Sequence, residues 1–168
     1  MQAQQAVGQE PSATLQAESG FTLAELIVLI AVIGILSIMA IPSFVSYYQA
    51  ATLKSGAQQF AALINQAREI AIKENDNLCV KMSSPTQMMY VRNNCTTGTA
   101  WVGAGTDAAG NINLPPRISA AGPVNPANSP IFNYVGSALP AATFTLTNID
   151  TGATLTVSVA ASGRVTIP

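Results

Sequence analysis

The sequence predicts an α+β chain: a long N-terminal α-helix, membrane-spanning in its first half and amphipathic in its second, packed on a C-terminal antiparallel β-sheet head. Three observations carry this. From Leu26 to Leu53 no residue is charged, and Leu26 to Ile41 is almost wholly aliphatic, a span-length run once Phe44, Val45 and the tyrosines are added. Leu53, Ala57, Phe60, Ile64, Ala67 and Ala71 then recur at spacings of 4, 3, 4, 3 and 4, which is one face of an amphipathic helix. Beyond Asn77 the chain breaks into short alternating runs separated by Gly, Pro and Ser.

Taken in order, residues 1–20 precede the apolar run, 21–48 form its spanning helix, 49–76 the amphipathic half and 77–168 the head. Pro42 lacks an N–H and is expected to kink the helix rather than end it. Tyr47 and Tyr48 suit a membrane interface. The polar helix face holds Lys54, Gln58, Asn65, Arg68 and Glu69. A helix from about Phe21 to Glu74 would extend roughly 80 Å at 1.5 Å per residue. Asn75, Asp76 and Asn77 make a helix stop. Strands are expected at Leu78 to Met82, Met88 to Asn93, Ile131 to Tyr134, Thr143 to Ile149, Thr154 to Ala160 and Arg164 to Ile167, with turns at Asp150-Thr151-Gly152 and Ala161-Ser162-Gly163. The stretch Thr96 to Pro130, rich in Gly, Pro, Asn and Ala, reads as long loops.

Composition narrows the functional classes. The 168 residues leave room for one modest domain beside the apolar segment, and the net charge is −1 from 7 bases and 8 acids. The bases Lys54, Arg68, Lys73, Lys81, Arg92, Arg117 and Arg164 are scattered, which gives no electrostatic footprint for nucleic acid. There is no histidine, so Ser-His-Asp and Cys-His catalysis and His-ligated metal sites are all excluded. Asp76, Asp107 and Asp150 sit in turns, where aspartate bonds its own backbone, and no nucleophile or phosphate-loop motif accompanies them. The chain therefore reads as a non-enzyme without a cofactor. Cys79 and Cys95, sixteen apart, would form a disulfide if the apolar segment exports the head; two buried free thiols are the alternative, and a two-cysteine zinc site lacks the other ligands zinc takes.

The most informative residue is Glu25, a lone carboxylate at the lip of the apolar run. A charge at the centre of a spanning helix costs roughly 2.5–3.5 kcal/mol, so one that persists sits near an interface or has a partner. The run GFTLAELIVLIAVIGILSIMAIP, from Gly20 to Pro42, resembles the N-terminus of the type IV pilin and type II secretion pseudopilin superfamily. The resemblance implies that Gly20 precedes the cut made by a membrane-embedded prepilin peptidase. Phe21 would then become the N-methylated first residue, and Glu25 the fifth residue after the cut. Glu25 would neutralise the Phe21 ammonium of a neighbouring subunit, since an opposite charge nearby makes a buried carboxylate tolerable. Pro42 would mark where the helix bends or locally melts when subunits pack. Removing Glu10 and Glu18 with a leader of 20 residues leaves 7 bases against 6 acids. That leader has no Lys or Arg, whereas leaders of this superfamily are usually short and basic.

The segments AREIAIKENDNLCVKM, IFNYVGSALPAATFTLTN and VSVAASGRVTIP resemble, more narrowly, the H-type minor pseudopilins and the FimT- and FimU-type minor pilins. In that group a Phe-x-x-x-Gly run, here Phe132 with Gly136, precedes a strand pair, and a Gly-Arg-Val, here Gly163-Arg164-Val165, ends the domain. The resemblance implies a structural subunit anchored in the bacterial inner membrane with its head in the periplasm, whose partners are other pilin or pseudopilin subunits. Some FimT-type relatives contact DNA through a C-terminal Gly-Arg-x-Arg motif, which makes a DNA contact at Arg164 the alternative reading. This chain has Gly163-Arg164-Val165-Thr166 and so lacks the second arginine. Trp101, in a Gly-rich loop, either anchors a partner or plugs the core beneath that loop.

Overall fold

The computed structural model describes residues 20–168, apart from the side chains of Met39 and Ala40; the expected leader over 1–19 lies outside the described residues. The chain divides at Ile41/Pro42 into two units. Helix α1, Leu23–Glu74, contributes to both, with Pro42 inside it. In the first unit Leu26 through Leu36 presents aliphatic side chains on every side, all of them exposed. A helix apolar all round is one that an apolar surrounding covers. As one straight span α1 does not meet the membrane-crossing requirement; Leu23–Ile38 and Ile41–Glu74 meet it by length and composition only when taken together.

The second half of α1 follows its periodicity. Leu53, Ala57, Phe60, Ile64, Ala67 and Ala71 are all buried. The expected stop is a Schellman cap: Asn75, at φ 52°, donates to the Ile72 carbonyl (3.4 Å) and Asp76 to that of Ala71 (3.1 Å).

The buried face of α1 packs against two antiparallel sheets. The first has five strands in the order β3-β2-β1-β5-β6: β1 Leu78–Ser84, β2 Gln87–Arg92, β3 Asn111–Asn113, β5 Ile131–Phe132 and β6 Ala138–Leu139. The second has four in the order β4-β7-β8-β9: β4 Ile118–Ala121, β7 Ala142–Asn148, β8 Thr154–Val159 and β9 Val165–Thr166. Alternation sets which side chains point inward. Leu78, Val80, Met88 and Tyr90 from the first sheet, and Phe144, Leu146, Val157 and Val159 from the second, join the helix face in one core. Phe60 and Phe144 meet edge to face at 5.2 Å between ring centroids. Gly56 lets β4 close on the helix, since a Cβ there would stand 2.7 Å from Ile118 Cγ1.

Three expectations are corrected. The stretch 96–130 is not only loop: β3, β4 and a 3₁₀ turn, Pro126–Asn128, lie in it, and β3 and β4 are the outer strands of the two sheets. The buried Ile112, Ile118 and Ala120 hold these short strands in place, and three or four residues are too few for alternation to show among Gly, Pro and Asn. The strand expected over Ile131 to Tyr134 stops at Phe132, because Asn133 begins a turn in which Gly136 N–H donates to the Asn133 carbonyl (2.8 Å). Arg68, expected on the solvated helix face, is half-buried.

Candidate functional site

The N-terminal segment is organised by a reciprocal cap. Thr22 Oγ1 accepts from the Glu25 backbone N–H (3.2 Å), and Glu25 Oε2 accepts from the Thr22 backbone N–H and hydroxyl (2.9 Å each). This is a Thr-x-x-Glu capping box, which satisfies donors that a helix start otherwise leaves unpaired. Gly20, Phe21, Thr22 and Glu25 surround one shallow hollow, so the residues singled out at the expected cut are brought together. Glu25 Oε1 has no hydrogen-bond partner among the described residues, which leaves one carboxylate oxygen for a cation. The box was readable from the spacing of Thr22 and Glu25.

In the second unit, Cys79 and Cys95 are joined as a disulfide with their Cα atoms 5.4 Å apart. Cys79 faces away from the main core, into a small cluster with Val91, Met89 and Ile131. The bridge ties β1 to the loop beyond β2.

Two segments noted separately in the sequence converge on α1. Gly136 has φ +85° and Gly163 has φ +79°, and a Cβ on Gly163 would collide with the Gly136 carbonyl oxygen. A Cβ on Gly136 would come within 2.8 Å of Arg68 Nε and 2.9 Å of Ile72 Cδ1, and one on Gly163 within 3.2 Å of Arg68 Nε. The Phe132–Gly136 run and the Gly163-Arg164-Val165 turn are thus two walls of one notch floored by the helix. Arg68 Nε is buried there without a hydrogen-bond partner. Sequence reasoning missed this notch, because three segments far apart in the chain build it.

Arg164 itself is exposed in the turn between β8 and β9, its carbonyl accepting from Ala160 N–H (2.9 Å). Trp101 belongs to the core: it is buried beside Tyr90, and its Nε1–H donates to Glu74 Oε1 (3.0 Å). Glu74 also pairs with Arg92 at 2.7 Å, which locks the end of α1 to β2. The turn aspartates bond locally. Asp107 accepts from the backbone N–H and side-chain amide of Asn111 and from the N–H of Ala109, bonds that hold its carboxyl below the usual range. Asp150 pairs with Arg117 at 3.1 Å and Asp76 with Arg92 at 3.6 Å. Tyr90 donates its hydroxyl to the Leu63 carbonyl (2.7 Å), and burial pushes the phenol up from its ordinary value.

A long helix whose amphipathic half packs on antiparallel sheets is the architecture of the pilin fold. The family model described as type II transport protein GspH matches residues 56–163, and the chain belongs to this family of pilin-like structural subunits. Solved structures similar in fold include the type IV minor pilin FimU of Pseudomonas aeruginosa, at 15% identity and a TM-score of 0.51 over 73% of this chain and 92% of that one. The minor pseudopilin EpsH of the Vibrio cholerae type II secretion system matches at 13% identity and 0.51, over 69% of this chain and 95% of that one. GspH of E. coli matches at 17% identity and 0.50, over 68% and 86%. No curated protein matches the chain.

Proposed function

We propose that the chain is a minor pilin or pseudopilin that is cut after Gly20, N-methylated at Phe21 and assembled into a type II secretion pseudopilus or a type IV pilus. The observation that carries this reading is the capped helix start, where Glu25 stands beside Phe21 at the head of a helix with exposed aliphatic side chains, on a chain whose head belongs to the GspH family. Before assembly the apolar helix is held in the bacterial inner membrane with the head in the periplasm, where the Cys79–Cys95 bridge is chemically at home. In the filament the helices bundle, and Glu25 Oε1 neutralises the ammonium that the cut creates on a neighbour's Phe21. Burial of an unpaired carboxylate is costly and burial of a paired one much less so, and this difference selects the register of adjacent subunits. The prepilin peptidase and the other subunits are the partners this mechanism requires.

Mass spectrometry of the chain recovered from its host tests the first step. A chain beginning at N-methylated Phe21 is expected, and an intact Met1 would overturn the reading.

A further inference from the structure

The notch around Arg68 has the composition of a protein docking surface. Arg92 and Arg117 spend their guanidinium groups on carboxylates of their own chain, at 2.7 and 3.1 Å. Arg68 has neither an ion pair nor a hydrogen bond among the described residues, although its Nε is buried. A buried guanidinium nitrogen without an acceptor is unfavourable, and a planar fork of this kind matches a carboxylate. The tight turn Asn133–Gly136, which rests on Arg68 and Ile72 through Gly136, holds two apolar side chains out into solvent: Tyr134 is 58% and Val135 65% exposed, beside Ile72 at 46%. An arginine and a tyrosine among aliphatic neighbours are the residue types that dominate the energetics of protein interfaces.

Charge says what fits. Lys73 is next to Ile72 on the helix and Arg164 next to Gly163 on the far wall, both exposed, so the surroundings of the notch are cationic apart from Glu69. Within the second unit the carboxylates are otherwise engaged: Glu74 and Asp76 on Arg92, Asp150 on Arg117, Asp107 on its own loop. Only Glu69, next to Arg68 itself, is left, so a second copy of this chain offers little to the notch. A phosphate backbone would be drawn by many cations and gains nothing from Tyr134, Val135 and Ile72.

We propose that the Arg68 notch is the docking surface for a protein other than this chain, one that presents an Asp or Glu carboxylate flanked by apolar side chains. The carboxylate meets the Arg68 guanidinium, and the apolar flanks cover Ile72, Tyr134 and Val135. The inference concerns the head alone and stands whether or not the N-terminus is processed.

The test uses the full chain in its host membrane, with p-benzoylphenylalanine in place of Tyr134 as a photo-crosslinker and mass spectrometry to sequence the joined peptides. The expected product is a single heterotypic adduct whose partner peptide contains Asp or Glu. Its yield should fall about tenfold in Arg68→Gln, as loss of one interfacial charge pair predicts. Arg68→Glu combined with Lys at the partner's carboxylate should restore it. Val135→Asp, on an exposed turn, should give the same loss as Arg68→Gln, with an intact Cys79–Cys95 bridge on a non-reducing gel as the check of the fold. The proposal is overturned by an adduct with a second copy, by a nuclease-sensitive adduct, by a partner peptide without a carboxylate, by a yield that neither variant changes, or by no adduct at all.

Discussion

Gly163 packs so closely on Gly136 that a side chain on the first would occupy the carbonyl oxygen of the second. Both have positive φ, so each is held to glycine by conformation as well as by space. Gly163→Ala should destabilise the fold by at least ~2 kcal/mol, strain and clash together. Gly152→Ala is the control: Gly152 has φ +70° but nothing within 4 Å of its Cβ position, so strain alone, about 1 kcal/mol, should remain. Urea unfolding of the full chain in detergent, monitored by the fluorescence of its one tryptophan, Trp101, would resolve the two. Equal effects would mean that the contact between the glycines contributes nothing.

The disulfide should matter through the unfolded chain. It closes a loop of 16 residues, for which loop-closure entropy predicts about 3 kcal/mol. Both sulfurs are buried, so Cys79→Ala with Cys95→Ala keeps much of the apolar contact and isolates the tether. The expected result is a lower urea midpoint with a near-native Trp101 emission maximum in buffer. A shifted maximum before any denaturant would instead show that the bridge positions the loop through which Trp101 reaches the core.

How much of this was legible depends on the length scale of each signal. The helix face from Leu53 to Ala71 was fully readable because burial repeats along it at 3.6-residue spacing over five turns. Strands β1, β2, β7 and β8 were found because each has six or seven residues. Strands β3, β4 and β6 were not, since two to four residues carry no period and their pairing is decided by partners distant in sequence. The N-terminal residues of the candidate site are local and were legible. The Arg68 notch was not: an arginine at a polar helix position looks solvated until the Gly136 and Gly163 turns close over it.

Tyr90 makes alkaline stability a readout of the core. Its phenol is buried and donates to the Leu63 carbonyl, and its pKa is raised in the folded state above the ordinary value of about 10. A raised folded pKa means that the unfolded chain loses its proton first. The stabilisation is complete below pH of about 10 and is lost as pH rises from there toward the folded pKa. Tyr90→Phe removes the hydroxyl and its hydrogen bond, and should cost about 1 kcal/mol at neutral pH. The same variant should lose stability less steeply than the parent above pH 10. Parallel curves for parent and variant would mean that Tyr90 ionises as freely in the folded chain as in the unfolded one.

Glu25 serves two ends that substitution can separate. Its carboxylate closes a capping box with Thr22, and in the proposed filament its charge meets a neighbour's ammonium. Gln caps a helix in this geometry nearly as well as Glu but carries no charge. Glu25→Gln should therefore keep the helix start and membrane insertion while sharply lowering incorporation into filaments. Thr22→Val does the converse: it removes the hydroxyl that accepts from Glu25 N–H, costs about 1 kcal/mol of local helix stability and leaves the charge in place. Its incorporation should remain close to that of the parent chain. The measurement is the amount of each variant in sheared filaments relative to the membrane fraction. If Thr22→Val lowers incorporation as much as Glu25→Gln does, the order of the helix start governs assembly and the charge is incidental.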